Sequence, residues 1–233
     1  MNCVSSNPDV ADGFSDGFGN MGQNAAKVKI CGIRRQEDIL LMNRLIPDFI
    51  GFVFAPSKRR VSPELAAQLV QLLDGGIRKV GVFVDEKPEA VVSTARLCRL
   101  DAVQLHGDEC AGEIRDIRKQ LGEGVEVWKA IRVKNPASLN RMEEEDAHRY
   151  LLDACSGDAY GGTGKSFDWR LVEGLCCSGR IILAGGLTPD NVHAAIRRVQ
   201  PYAVDVSSGV ETDGFKDSRK VKNFLYSVRY THY

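Results

Sequence analysis

Short segments rich in Val, Ile and Phe alternate with amphipathic helical patterns from residue 27 onward. Eight of these segments are predicted strands: 27–31, 48–54, 79–84, 101–106, 125–131, 149–154, 180–186 and 202–209. A helical pattern after each strand provides the crossover that parallel pairing requires. Eight such units predict an α/β fold consisting of a single (β/α)8 TIM barrel, with a doubly wound open sheet as the alternative.

Two of the predicted helices have recognisable beginnings. Ser62-Pro63 places a capping hydroxyl before a proline at the first helical position, and Thr188-Pro189 repeats the pattern. The apolar face of the first of these helices is predicted to consist of Leu65, Leu69, Leu72 and Leu73. The last helix of the chain is predicted to bury Val221, Phe224, Leu225 and Val228.

Residues 1–26 differ from the rest of the chain because they are rich in Gly, Asn, Asp and Ser. We expect a flexible, disordered N-terminal leader over 1–26 without a targeting signal, and one barrel domain over 27–233. No apolar run has the length of a membrane span, and 31 basic residues balance 31 acidic ones, so neither a membrane nor nucleic acid is an expected partner. Seven cysteines without a CxxC pair indicate reduced thiols in the cytoplasm rather than zinc or disulfides.

The predicted carboxyl ends of the strands carry polar residues and glycines. In a barrel these ends form the functional face, and loops seven and eight commonly bind phosphate. Gly185-Gly186 after the seventh strand and Ser208-Gly209 after the eighth are turns whose backbone N–H groups suit a phosphate. Tight turns without a ligand are the alternative interpretation. Other polar residues at these ends are Cys31, Arg59, His106 and Asp153.

The segment from Ala159 to Ser166 resembles a nucleotide-binding phosphate loop, because Gly164-Lys165-Ser166 follows Ala159 at the required spacing. A true phosphate loop runs directly from a strand into a helix. Here the sixth strand is predicted to end near Asp153, and the next helix is predicted to begin after Asp168 as its N-cap. We interpret the segment as a flap on the sixth loop that closes over a ligand, not as a nucleotide site.

Seven blocks of the sequence, taken in order, resemble the phosphoribosylanthranilate isomerase family of tryptophan biosynthesis. The blocks are KVKICGI, GFVFAPSKRRVSPE, VGVFVDE, AVQLHGDE, LLDA with YGGTGKSFDW, AGGLTPDNV and AVDVSSGVE. The resemblance covers residues 27 to about 229 and implies a (β/α)8 barrel, monomeric or homodimeric, that needs no cofactor and no metal. It also implies an Amadori rearrangement of a small phosphosugar, N-(5-phosphoribosyl)anthranilate, to 1-(2-carboxyphenylamino)-1-deoxyribulose 5-phosphate.

The same resemblance implies a role for each matching residue. Cys31 corresponds to the family's general base, Asp153 to its general acid, and Arg59 to the arginine that holds the anthranilate carboxylate. Arg60 stands where the family often has tyrosine, so the sequence leaves open which of the two arginines meets the carboxylate. The implied phosphate-binding residues are Gly185, Gly186, Ser208 and Gly209, and the residues implied to lie near the substrate are His106 and Asp205.

The chemistry of an Amadori rearrangement agrees with this acid–base pair. One acid protonates the ribose ring oxygen, and one base removes the proton from C2. Strands one and six lie three steps apart around a ring of eight, so Cys31 and Asp153 are predicted to face each other across the barrel mouth. A cysteine has an ordinary pKa near ~8.5. We expect Lys29, two residues earlier on the same strand face, to favour the thiolate.

Other functions fit the sequence less well. An indole-glycerol-phosphate synthase needs a lysine and a glutamate at its strand ends, and a ribulose-phosphate epimerase needs several histidines where only His106 is predicted. A cysteine protease built on Cys31 and His106 lacks an oxyanion-hole motif. The remaining alternative is a non-catalytic or differently specific phosphosugar-binding barrel, although simple binding has no use for both Cys31 and Asp153.

Overall fold

Eight parallel strands form a closed barrel whose order around the ring is the order of the sequence. The computed structural model describes residues 26–154, 168–173 and 178–230, so the predicted leader lies outside the described residues except for residue 26. The strands are β1 Lys27–Cys31, β2 Phe49–Val53, β3 Arg78–Phe83, β4 Ala102–Leu105, β5 Glu126–Val133, β6 Arg149–Ala154, β7 Ile181–Leu183 and β8 Ala203–Val206. Pairing of β1 with β8 closes the ring. The predicted (β/α)8 barrel is therefore confirmed.

The connections between strands are less regular than the sequence pattern suggested. The helices are α1 Gln36–Leu45, α2 Pro63–Val70, α3 Pro88–Leu97, α4 Ala111–Leu121, α5 Arg141–Glu144, α6 Val192–Val199 and α7 Ser218–Arg229. The prediction of a full helix between β5 and β6 is wrong, because this connection contains a 3₁₀ turn and the four-residue α5. Asp168 caps a 3₁₀ turn, Trp169–Val172, where its side chain accepts from the Arg170 N–H. A short antiparallel hairpin, β9 Glu211–Thr212 and β10 Phe215–Lys216, follows β8 and was not predicted.

The beginning of α2 is confirmed and its predicted face is partly wrong. The Ser62 hydroxyl accepts a hydrogen bond from the Leu65 N–H at 3.2 Å, as an N-cap does. The buried residues of this helix are Ala66 and Leu69, whereas Leu65 is 39% exposed and Leu72, beyond the helix end, is 44% exposed. The helix is one turn shorter than the leucine spacing implied, so its buried stripe does not reach Leu72.

The predicted start at Thr188 proves to be a turn that precedes α6. The N–H groups of Asn191 and Val192 both donate to the Thr188 carbonyl, and regular helix begins only at Val192. The last helix, α7, buries all four residues predicted for it.

The pleat of the strands determines which side chains point into the barrel. The apolar floor of the interior consists of Phe49, Val80, Ala102, Trp128, Ala130, Leu151, Ile182, Ala184 and Ala203. Alternate residues of a strand point to the same side. Polar side chains stand two positions after four members of this floor, toward the carboxyl ends: Gln104, Arg132, Asp153 and Asp205. The pleat thus raises a layer of polar groups above an apolar floor, at the mouth of the barrel.

Candidate active site

A pocket opens at the carboxyl ends of the strands, and all nine site residues singled out by the sequence line it. They are Cys31, Arg59, His106, Asp153, Gly185, Gly186, Asp205, Ser208 and Gly209. Arg60 is exposed and does not line the pocket, so of the two arginines only Arg59 lines it. The predicted flap, Ala159–Ser166, lies outside the described residues.

Cys31 ends β1 as a buried thiol above a buried ion pair. Lys29 is fully buried, and its Nζ lies 2.9 Å from Oδ1 of Asp205. Burial works to lower the pKa of Lys29, but the Asp205 carboxylate and the Cys31 thiol together raise it above its ordinary value. The lysine is therefore held as a cation next to Cys31.

The pKa of the Cys31 thiol is raised, whereas the sequence-based expectation was that Lys29 would favour the thiolate. Burial raises the pKa of Cys31 above its ordinary value, while Lys29 acts in the opposite direction, as predicted. Asp205 adds to the increase in the Cys31 pKa, and Lys216 counters it. Lys29 thus favours the thiolate without outweighing desolvation, because the sequence pattern does not reveal how deeply the thiol is buried.

Gly51 provides the space that the thiol occupies. It is the register partner of Cys31 on the neighbouring strand β2. A Cβ atom added to Gly51 would lie 2.8 Å from Sγ of Cys31, closer than packed side chains approach, and 3.2 Å from Cε of Lys29. Any residue larger than glycine at this position would displace the thiol.

Asp153 of β6 belongs to a chain of three polar side chains with Gln104 of β4 and His106, the residue that follows β4. Nε2 of His106 lies 3.3 Å from Oδ2 of Asp153, and Nδ1 of the same ring lies 2.7 Å from Nε2 of Gln104. Gln104 and His106 stand two residues apart, so the pleat points both into the barrel. All three side chains are nearly enclosed, which restricts the orientation of the Asp153 carboxyl group.

Arg59 is clamped by a glutamate that sequence reasoning did not single out. Its Nε and Nη2 donate to the two carboxylate oxygens of Glu211 at 2.8 and 2.6 Å. Nζ of Lys216, from β10, lies 2.7 Å from the same carboxylate. The hydrogen bonds that Arg59 donates to Glu211 raise the pKa of Arg59. Burial works to raise the pKa of Glu211, but Arg59 and Lys216 hold it below its ordinary value.

The two glycine turns meet at the edge of the pocket. Gly185 and Gly186 have φ angles of 84° and 63°, a region that favours glycine. Their backbone N–H groups donate to no group within the described ranges of the chain. A Cβ atom on Gly209 would lie 1.9 Å from the Leu187 carbonyl oxygen. Position 209 must therefore be glycine if the turn after β8 is to stay in contact with the turn after β7.

Three residues of the site carry signals that sequence reasoning passed over. Gln104 could have been found from its place two residues before His106 on the same strand face. Glu211 and Lys216 both follow the eighth strand, but only the structure shows that Lys216 and Arg59 meet on the Glu211 carboxylate. Within the described ranges, no group of three or more His, Cys, Asp or Glu residues is arranged to hold a metal ion.

The fold and the pocket together define a class of protein. It is the class of (β/α)8 barrels in which ionisable side chains and anion-suited glycine turns share one pocket at the carboxyl ends of the strands. No helix in the described part of the chain is long and apolar enough to cross a membrane.

Comparison with known proteins identifies the family within this class. The family model for N-(5'-phosphoribosyl)anthranilate isomerase matches residues 28–227. An isomerase of that name from Acetivibrio thermocellus is 50% identical over 207 residues, which cover 87% of this chain and 95% of the relative. The chain therefore belongs to the N-(5'-phosphoribosyl)anthranilate isomerase family, and the identification made from its sequence motifs is confirmed.

Solved structures agree with this assignment. Monomers generated from the dimeric isomerase of Thermotoga maritima are 40% identical with a TM-score of 0.75, over 87% of this chain and 98% of theirs. A phosphoribosyl anthranilate isomerase in complex with reduced 1-(o-carboxyphenylamino)-1-deoxyribulose 5-phosphate is 39% identical with a TM-score of 0.74, over 87% of this chain and 98% of its own.

Proposed function

We propose that this chain is an isomerase of tryptophan biosynthesis that converts N-(5-phosphoribosyl)anthranilate to 1-(2-carboxyphenylamino)-1-deoxyribulose 5-phosphate. The observation that carries the proposal is the convergence of Cys31 on β1 and Asp153 on β6 at one pocket, together with Arg59 and two glycine turns. Membership of the family supports the reaction. The chemistry is acid–base chemistry, for which these side chains suffice without a cofactor or a metal.

Asp153 and Cys31 divide the two proton transfers between them. The protonated Asp153 donates to the ribose ring oxygen as the C1–O bond breaks, and the nitrogen lone pair forms the C=N bond of a Schiff base. The Cys31 thiolate then takes the proton from C2, and the electrons of that C–H bond form the enolamine, which relaxes to the ketone. Burial keeps much of Cys31 protonated at neutral pH, so the rate of the second step is expected to rise with pH as the thiol ionises.

Arg59 is proposed to hold the anthranilate carboxylate. Glu211 occupies the side of the guanidinium formed by Nε and Nη2. The end formed by Nη1 and the second Nη2 hydrogen is a second two-pronged donor edge. Glu211 thus fixes the plane of the guanidinium, and the remaining edge suits the two oxygens of a carboxylate.

The glycine turns are proposed to hold the phosphate, through the N–H groups of Gly185, Gly186, Ser208 and Gly209. Asn191 supports the first turn, because its Oδ1 accepts from the Thr188 N–H at 2.8 Å and its Nδ2 donates to the Gly186 carbonyl at 2.9 Å. His106 and Asp205 are proposed to contact the substrate between these two anchors.

The setting of the enzyme is also a proposal. Free thiols at Cys31, Cys98 and Cys110 agree with a reducing compartment, and we propose the cytoplasm. A homodimer is supported by the dimeric relative from Thermotoga maritima, with a monomer as the alternative. Chromatography with light scattering distinguishes the two.

Turnover of phosphoribosylanthranilate, made in the assay from anthranilate and phosphoribosyl pyrophosphate by an added transferase, tests the function. Cys31→Ser and Asp153→Asn are expected to lose about 10²–10⁴-fold in kcat. Cys110→Ser, which changes an exposed cysteine, is the matched control and keeps full activity. A folded wild-type protein that binds phosphate but does not turn over this substrate would instead indicate a differently specific phosphosugar barrel. Activity retained in either catalytic variant would overturn that residue's role.

A further inference from the structure

Gln104 is a buried amide to which the reaction above assigns no part. Its side chain on β4 is 1% exposed and lines the pocket. Its Oε1 is buried and has no hydrogen-bond partner among the residues that the structure describes. A buried, unpaired amide oxygen is costly, so its presence beside the proposed acid calls for a reason.

The amide nitrogen determines which ring nitrogen of His106 carries the proton. An amide NH₂ group can only donate, so at 2.7 Å from it Nδ1 of His106 has to be the acceptor. The ring proton of the neutral imidazole then sits on Nε2. Because Nε2 lies 3.3 Å from Oδ2 of Asp153, the ring donates to the ionised carboxylate.

The unpaired oxygen of Gln104 gives the same three residues a second arrangement. If the amide turns about its last side-chain bond, Oε1 faces Nδ1 of His106 and accepts a hydrogen bond from a proton on that nitrogen. Nε2 is then an acceptor, and an acceptor pairs with the protonated carboxyl group of Asp153. The second arrangement holds one proton more than the first, and that proton is on the group proposed to donate it to the ribose ring oxygen.

We propose that Gln104 is a positioning residue for the acid: its amide selects the tautomer of His106, which in turn orients Asp153 and pairs with both its protonated and its ionised form. The inference rests on the proposed function, because it takes Asp153 as the general acid. Gln104 itself touches neither substrate nor proton in this scheme and acts through the imidazole.

Other charged groups surround the imidazole and have to be considered in any pH experiment. Those that line the pocket with it are Cys31 of β1, Arg59 of the loop after β2 and Asp205 of β8. On β5, Arg132 is the register partner of Asp153. Lys129 of the same strand is held by Glu109 and by the Gly107 carbonyl. Substitution of Gln104 leaves all of these groups in place.

Two variants of Gln104 separate positioning from packing. Gln104→Met keeps the shape and loses both hydrogen-bonding groups, so kcat is expected to fall about 10–100-fold, part of the ~10²–10⁴-fold that acid catalysis contributes. KM is expected to stay within about twofold, because the substrate anchors are untouched. When its carboxyl group is ionised, Gln104→Glu can only accept from Nδ1, so it locks the second arrangement, and its negative charge strengthens proton binding by the His106–Asp153 pair. In the pH–rate profile of Gln104→Glu, the limb on which activity falls as the acid loses its proton is expected to move up by about one pH unit or more.

The tautomer is measured independently of turnover by ¹⁵N NMR of the imidazole. The chain has four histidines, and the His106 signal is assigned by its loss in His106→Asn. Wild type is expected to show the Nε2–H tautomer when Asp153 is ionised, and Gln104→Met a mixture of tautomers. An Nδ1–H tautomer in wild type under those conditions, or variants that lower activity without moving either the pH limb or the tautomer, would overturn the inference. If wild type fails to turn over phosphoribosylanthranilate, the proposed function fails, and the NMR result still decides whether Gln104 selects the tautomer.

Discussion

Replacement of Lys29 by methionine tests how the thiol of Cys31 is made a base. The side chains are similar in length, but the variant loses the cation that opposes burial in setting the Cys31 pKa. It also leaves Asp205, formerly 2.9 Å from the lysine, as an unpaired negative charge that raises the thiol's pKa further. An opposite charge within about 4–6 Å shifts a pKa by roughly 1–3 units. Removing it is therefore expected to lower the thiolate fraction at neutral pH by about 10–1,000-fold.

The assay is the pH dependence of kcat/KM for phosphoribosylanthranilate, measured with the stability of each protein. Activity rises with pH as the thiol loses its proton, so this limb is expected to move to higher pH in Lys29→Met. At a pH above the new limb the variant should approach wild-type activity. Breaking a buried ion pair also costs about 3–5 kcal/mol of stability, and urea unfolding measures that loss separately.

Lys129→Met is the matched control for this experiment. Lys129 is also a fully buried strand lysine in a 2.9 Å ion pair, here with Glu109, but it does not line the pocket. The Lys129→Met variant should lose comparable stability, about 3–5 kcal/mol. The limb on which its activity rises with pH should stay where it is in wild type. If the profile of Lys29→Met superimposes on that of wild type, Lys29 does not activate the base and the reasoning is refuted.

Three further perturbations have definite expected outcomes. Gly51→Ala places a methyl group 2.8 Å from Sγ of Cys31 and should cost about 1–3 kcal/mol in thermal unfolding, together with most of the activity, because the thiol is displaced. Glu211→Gln keeps the shape but weakens the clamp on Arg59, and steady-state kinetics should show KM rising by about 10-fold, equivalent to about 1.4 kcal/mol, with kcat less affected. Burial raises the pKa of Cys98 from 9.0 to about 11. The stability that this thiol contributes is therefore complete below pH 9 and lost as pH rises through about 11, so the difference in unfolding free energy between wild type and Cys98→Ala should shrink over that range.

Each of these has a matched control. Gly75→Ala adds a methyl group where no atom lies within 4 Å, so it should leave both activity and stability unchanged. Glu173→Gln alters an exposed pair with Arg198 and should not change KM. Ser93→Ala removes an exposed hydroxyl, which does not titrate in this range, and should give a difference from wild type that does not vary with pH. An effect in a control equal to that in its test variant would contradict the corresponding prediction.

The strands were predictable because their signal is local. The bounds of β1 and β6 match the sequence-based prediction residue for residue, since each is a β-branched or apolar run ended by a change in composition. The last two strands were predicted too long, because the glycine turns that follow them were counted as strand. The hairpin after β8 has strands of two residues each, too short for any periodic pattern to indicate.

The site was predictable in its membership and not in its contacts. Motifs at the strand ends identified nine pocket residues, because a barrel brings every carboxyl end to one face. The pairing of Arg59 with Glu211 joins residues 152 positions apart, and no local pattern encodes such a contact. The raised pKa of Cys31 likewise depends on burial in three dimensions, for which charge spacing along a strand is a poor guide.

The ionisable groups around the Cys31 thiol have an uneven balance of charge. Lys29, Arg59, Lys216 and Asp205 interact electrostatically with the thiol, and Glu211 is the carboxylate that pairs with Arg59 and Lys216. Three positive and two negative charges leave one positive charge in excess, which the Cys31 thiolate would neutralise. If Arg59 binds the substrate's carboxylate as proposed, that carboxylate uses the same excess charge. Thermodynamic linkage then requires ionisation of Cys31 and binding of the substrate carboxylate to weaken each other. Ionisation of the thiol should therefore lower the affinity for the substrate, and substrate binding should raise the pKa of the thiol.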